Sequence, residues 1–186
     1  MSATNRGAIR RECDFYKTPD EAIEKILDAL VDFYGDNILE CCAGDGAIIK
    51  ALRRNFEGIK ISAIEIREEE RENLIKAGAD CVDIGDFLTL TPTSPKPDLI
   101  ITNPPYSIAQ EIIGHCFKVA PDAEVVMLLR LAFLESKKRK AFWERHPVTQ
   151  LYVLSERPSF TGKGTDATAY AWFVWSKHRV RKITVI

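Results

Sequence analysis

Asn37-Ile38-Leu39-Glu40-Cys41-Cys42-Ala43-Gly44-Asp45-Gly46-Ala47-Ile48-Ile49 reads as three pieces in succession. The apolar run over 37–42 has the length and boundaries of a short buried strand. Two glycines one residue apart then let the backbone turn tightly and come close to a ligand. A helical pattern over 47–54 follows. Strand, glycine turn and helix in that order open a parallel α/β unit. The turn is not the phosphate-cradling G-x-G-x-x-G, because Ile49 stands where the third glycine belongs, and no lysine follows in the Walker position.

The same alternation extends in both directions. Upstream, Thr18-Pro19-Asp20-Glu21 reads as a helix start, with Thr18 as the cap, Pro19 at the first helical position and Glu21 completing a capping box. Ala22, Ile23, Ile26, Leu27 and Leu30 then recur at helical spacing until Gly35. Downstream, strands are predicted over 59–64, 81–82, 98–102, 125–129, 148–154 and 169–175, with a short final piece over 183–186. Helices are predicted over 68–77, 108–119 and 136–145. Strands separated by helices predict a mostly parallel sheet covered on both faces, with ligands bound at the carboxyl ends of the strands. Residues 1–17 read as an arm, and one domain of 186 residues is expected.

Composition narrows the function classes. At 46% hydrophobic the chain can bury a core, and its longest apolar runs fall far short of a membrane span. The polar, basic start, with no apolar stretch behind it, predicts no secretory signal. Cys13, Cys41, Cys42, Cys81 and Cys116 form an odd set without a C-x-x-C pair, and His115, His146 and His178 are scattered. Neither a disulfide framework nor a metal centre is expected; the thiols read as small buried groups in a reducing cytoplasm. The formal net charge of −1 argues at first against a nucleic-acid partner. It conceals a split: residues up to Met127 sum to −9, and those from Leu128 onward sum to +8.

The residues just after each strand carry the chemistry. Glu65 ends the second strand about twenty residues beyond the glycine turn, where a carboxylate accepts from ribose hydroxyls. After the third, Asp86 can accept from an adenine amino group while Phe87 covers the ring. With the glycine turn these describe an adenosine pocket without phosphates. The fourth strand runs directly into Asn103-Pro104-Pro105-Tyr106. Two prolines make a stiff, extended turn that leaves the Pro104 carbonyl pointing outward. The Asn103 side chain sets a second neutral acceptor beside it, and the pair matches a planar NH₂ group. Tyr106 supplies a stacking face.

Through these motifs the sequence resembles the S-adenosylmethionine-dependent amino-methyltransferases, most closely the N6-adenine DNA methyltransferases that carry an NPPY tetrapeptide. The resemblance spans nearly the whole chain, from Asp14 to Trp175. It implies a Rossmann-like α/β methyltransferase fold in one domain, mostly parallel, with a C-terminal antiparallel hairpin. It implies S-adenosylmethionine as cofactor, held by Tyr16, Lys17 and Thr18, by Glu40, Cys41, Ala43, Gly44 and Gly46, by Glu65 and Ile66, by Asp86 and Phe87, and by Asn103. Asn103, Pro104, Pro105 and Tyr106 become the catalytic set. Arg157-Pro158-Ser159-Phe160 and the Gly-rich run that follows resemble the target-side loop, making Phe160 a second stacking ring. The family also implies the interior of a bacterial, phage or archaeal cell.

Basic residues of the C-terminal third fit a polynucleotide partner, most simply DNA. Lys137, Lys138, Arg139 and Lys140 lie on a predicted helix, Lys163 lies in the Gly-rich loop beside Phe160, and Lys177, Arg179, Arg181 and Lys182 form a tail. Arg6, Arg10 and Arg11 extend the set. Only residues 87–102 separate the cofactor motifs from the tetrapeptide, so a recognition domain is expected neither there nor after Ile186. A homodimer or a separate recognition subunit would supply that surface. The same acceptor pair suits an amino group of RNA adenine or guanine, or a protein glutamine amide. A non-catalytic nucleic-acid-binding subunit that keeps the fold is the alternative of another class.

Overall fold

The computed structural model describes residues 17–30, 35–90, 95–160 and 167–186. Helix α1 (Asp20–Ala29) precedes strand β1 (Asn37–Glu40), α2 (Ala47–Asn55), β2 (Lys60–Glu65), α3 (Arg71–Ala77) and β3 (Cys81–Ile84). Then come β4 (Leu99–Thr102), α4 (Ala109–Val119), β5 (Glu124–Arg130), α5 (Lys140–Arg145), β6 (Gln150–Val153), β7 (Tyr170–Trp175) and β8 (Lys182–Val185). The strands form one sheet in the order β3-β2-β1-β4-β5-β7-β6-β8. Pairing is parallel from β3 to β5, and β7 enters antiparallel between β5 and β6.

Both faces of the sheet are covered, which is why its central strands read as continuous apolar runs. Along β5, Val126 and Leu128 face a core that includes Ile23 and Ile26 of α1, Ile48 and Leu52 of α2, and Leu74 of α3. Val125, Met127 and Leu129 face the other way, toward Ile112, Ile113 and Cys116 of α4 and Phe142 of α5. Trp172 of β7 is fully buried, and its indole Nε1 donates to the Ala22 carbonyl at 2.8 Å, tying α1 to the antiparallel strand. The order reverses at β1, which lies between β2 and β4, so a crevice opens at the carboxyl ends of β1 and β4.

Three local expectations change. Thr18 makes no helix cap: Pro19 holds the cap position in an extended conformation, no side chain caps α1, and the Thr18 hydroxyl is used elsewhere. The segments 68–77 and 136–145 each begin as a 3₁₀ turn, Glu68–Glu70 and Lys137–Arg139, before continuing as α3 and α5. The final piece is a full strand, β8, parallel to β6 at the edge of the sheet.

Candidate active site

The crevice at the switch point holds a cavity of about 100 Å³ and opens to solvent. Thr18, Glu40, Cys41, Ala43, Gly44, Glu65, Ile66, Asp86, Phe87 and the whole tetrapeptide line it. Lys17 lies at its edge, its ammonium 3.3 Å from Asp45. Gly46 stands outside the lining and acts through packing. Its φ is +75°, and a Cβ there would lie 2.8 Å from the Ala77 Cβ, so glycine lets the turn sit against α3. Tyr16 and Lys163, together with Arg6, Arg10 and Arg11, lie outside the described residues.

The acidic groups of the cleft are held in two ways. Glu65 is 6% exposed and tightly fixed: Oε2 accepts from the Gly44 amide at 2.7 Å, and Oε1 accepts from the Arg67 amide and Nε at 3.0 and 2.9 Å. A carboxylate has about four acceptor sites, so this geometry leaves one for a ligand. Arg67 also pairs with Glu70 at 3.0 Å, so its guanidinium locks the acid in place. Sequence reading passed over Arg67; its signal is a lone arginine two residues beyond the strand-end acid. Glu40 is 2% exposed, and its Oε2 has no hydrogen-bond partner among the described residues. Burial, reinforced by the neighbouring Cys42, Asp45 and Glu65, pushes the Glu40 carboxyl well above the usual carboxylate range.

An orphaned buried carboxyl among further acids calls for a cationic or donor-rich ligand, whereas the phosphates of a dinucleotide would meet like charge. S-adenosylmethionine, with its sulfonium and ammonium, fits that field, and Glu65 and Asp86 line the same crevice. Asp86 Oδ1 accepts from the Leu88 amide at 2.9 Å, which shapes the turn that carries Phe87. Phe87 meets His115 edge-on at 4.7 Å, and His115 Nε2 lies 3.2 Å from the Leu90 carbonyl, bracing that turn from behind. Burial and contact with Cys116 push the Cys41 thiol up, and contact with Cys41 together with burial does so for Cys42. Neither presents a thiolate nucleophile at neutral pH.

The tetrapeptide places its groups at the wall shared with β4. Asn103 Nδ2 donates to Thr18 Oγ1 at 3.1 Å, across 85 positions of sequence, and its Oδ1 accepts from the Tyr106 hydroxyl at 2.9 Å. The carboxamide is thereby held in one orientation. Pro104 is buried, and Pro105 leads into a 3₁₀ turn over Tyr106–Ile108 ahead of α4. Tyr106 and Tyr170 rings lie 5.7 Å apart, and Phe160 meets Tyr170 edge-on at 5.0 Å. Phe160 is therefore brought near the tetrapeptide through Tyr170, a residue with no motif to mark it.

The basic residues divide. Lys137, Lys138 and Lys140 are exposed, Lys140 lying 3.7 Å from Glu144. The Arg139 guanidinium is turned inward, donating to the carbonyls of Ala132, Phe133 and Glu135 and lying over the Phe133 ring at 4.7 Å. It fastens the turn after β5. Lys177 pairs with Asp122 and Arg179 with Glu124, so half of the expected basic tail is matched by acids of the same molecule. Among the described residues no group of three His, Cys, Asp or Glu is placed to hold a metal ion, and no helix is long and apolar enough to cross a membrane.

Comparison with known proteins places this geometry. No protein-family model matches the chain. The type II methyltransferase M.CvrRI of Paramecium bursaria Chlorella virus XZ-6E is 27% identical over 148 residues, covering 69% of this chain. The match spans 39% of that protein's own length. Among solved structures, a proposed RNA methyltransferase of Pyrococcus horikoshii superposes with a TM-score of 0.69 at 19% identity, covering 90% of this chain and 89% of its own. The 23S rRNA methyltransferase ErmE gives 0.63 at 19% identity, covering 89% and 71%. A dimethyladenosine transferase of Plasmodium falciparum gives 0.62 at 18%, covering 87% and 62%. The strand order and these likenesses together show the Rossmann-like fold of S-adenosylmethionine-dependent methyltransferases.

Proposed function

We propose that the protein binds S-adenosylmethionine in the crevice at the switch point and methylates the exocyclic amino group of adenine in DNA. The observation that carries this reading is the orientation of Asn103. Its carboxamide oxygen is set beside Tyr106 at the cleft wall while its nitrogen is committed to Thr18. Bound there, the cofactor supplies an electrophilic methyl group.

The residues of this chain do the rest. The adenine amino nitrogen is a poor nucleophile, because its lone pair is delocalised into the ring. Accepting its two N–H bonds at Asn103 Oδ1 and the Pro104 carbonyl favours a more tetrahedral nitrogen with its lone pair aimed along the transfer line. That nitrogen accepts the methyl group of the bound cofactor, which leaves as its demethylated thioether, and the amino group releases one proton to solvent. Asn103 is neutral and takes no proton. Rate enhancement comes from in-line placement and from fixed dipoles around a dispersing charge. The Tyr106 ring, with Phe160 nearby, holds a base that has left its stack.

DNA is preferred over RNA because the curated type II methyltransferase is related by sequence over 148 residues, whereas the RNA-directed neighbours, at 18–19% identity, share the fold. Incubation with tritiated S-adenosylmethionine and separate DNA, RNA and protein pools, followed by nucleoside analysis, tests the reading. Label in N6-methyladenine of DNA supports it. Label confined to RNA or to protein glutamine overturns the choice of substrate.

A further inference from the structure

Tyr106 has a second side. Beyond the wall it contributes to the crevice, a separate cavity of about 220 Å³ opens, floored by Ala109 and Leu129 and closed by Arg130, Phe133 and Glu135. Among the described residues only Tyr106 lines both. Arg130 ends β5 and is exposed. Its guanidinium carbon lies over the Tyr106 ring, 5.2 Å from the centroid, and its Nε donates to the Tyr170 hydroxyl at a long 3.4 Å. A planar cation thus rests on an aromatic face of the kind on which nucleobases stack, at the start of the segment that carries the +8 charge.

We infer that this cavity is a nucleotide subsite, in which Arg130 stacks over Tyr106 and exchanges that ring for a phosphodiester beside the methylated unit when a polynucleotide binds. The inference rests on the polynucleotide reading above. The chemistry of the exchange is balanced at each end. A guanidinium is planar and stacks on an aromatic face, and it also forms paired hydrogen bonds to phosphate oxygens. An incoming nucleotide brings both the base that displaces it and the phosphate that receives it. The floor is apolar, and its outer wall is stiffened by Arg139, whose guanidinium lies on Phe133 and ties the carbonyls of residues 132, 133 and 135. Among the described residues that line the cavity, Glu135 is the one carboxylate. It disfavours a phosphate seated deep in the cavity and leaves the Arg130 rim as the anionic position.

The test is oligonucleotide binding by fluorescence anisotropy across a salt series, with the protein saturated in S-adenosylhomocysteine so that no turnover occurs. Arg130→Met keeps the aliphatic stem over the ring and removes the charge; Arg130→Lys keeps the charge and loses the plane. Arg130→Met is expected to weaken DNA binding about tenfold at low salt and to lower the slope of log K against log salt by about one, the signature of one lost phosphate contact. Arg130→Lys is expected to keep that slope. Affinity for the cofactor, whose crevice Arg130 does not line, stays unchanged in both and reports on folding. Unchanged slope and affinity in Arg130→Met, or tighter binding at the same slope, overturns the inference while leaving the methyl-transfer reading intact. If the unaltered protein neither binds nor methylates any polynucleotide, the reading beneath it falls as well.

Discussion

Replacing Thr18 by valine removes one oxygen and leaves the shape of the side chain almost unchanged. That oxygen accepts from Asn103 Nδ2 at 3.1 Å, and the Tyr106 hydroxyl at 2.9 Å is the second tether on the carboxamide. With the first tether gone, the amide turns about the second, and its oxygen no longer holds one direction toward the incoming amino group. A neutral hydrogen bond contributes about 0.5–1.5 kcal/mol, and stranding a buried donor costs about 1–3 kcal/mol. Asn103 is only half-buried, so water recovers part of the larger figure. A loss near 1.4 kcal/mol remains, which corresponds to about tenfold in rate. Single-turnover transfer of a tritiated methyl group is expected to slow about tenfold in Thr18→Val, with KM for DNA changed much less, and Thr18→Ser is expected to restore the rate. Titration calorimetry separates any effect on cofactor affinity. A Thr18→Val protein that turns over at the unaltered rate, or a Thr18→Ser protein as slow as Thr18→Val, refutes the positioning argument.

Two further outcomes follow from the crevice. Gly46→Ala places a Cβ 2.8 Å from the Ala77 Cβ at a φ of +75°; overpacking of this kind costs about 1–3 kcal/mol, or about 2–10 °C in Tm for a chain of this size, and thermal unfolding at an unshifted Tm contradicts it. Glu40 is raised by burial, so between the ordinary carboxylate range and its own folded range the native state holds a proton that the unfolded chain has released. Its contribution is intact at low pH and is lost as pH rises. Glu40→Gln is therefore expected to gain in Tm relative to the unaltered protein as pH rises above the ordinary carboxylate range, while weakening the cofactor, whose cationic groups favour the ionised carboxylate. A Tm difference that is flat with pH contradicts the assignment.

What the sequence disclosed, and what it withheld, follows from the range of the contacts. The β1–turn–α2 unit and the tetrapeptide after β4 are local patterns in which spacing and residue type determine the geometry, and the crevice gathers them at the expected strand ends. Thr18 was legible as a cap and, through the resemblance, as a cofactor contact, but not as the acceptor for Asn103, which lies 85 positions away. Arg139 looked like one of four equivalent cations on a helix; its fate depends on the carbonyls that the turn at 131–135 leaves facing it. The charge split survives in part. Lys177 and Arg179, just after β7, meet Asp122 and Glu124 at the start of the neighbouring β5, so a count along the chain overstates the positive field at the target side. The Tyr106–Tyr170–Phe160 grouping was equally hidden, since strand pairing of β5 with β7 is what carries Tyr170 to Arg130 and Tyr106.

The central claim is that Asn103 presents an acceptor to an amino group about to be methylated. Its most direct measurement is methyl transfer to DNA by Asn103→Ala, with S-adenosylmethionine affinity measured on the same preparation. Cofactor binding within a few-fold of the unaltered protein, with transfer reduced by about 10²-fold or more, is the predicted result. Retained transfer with N6-methyladenine as product would contradict the account.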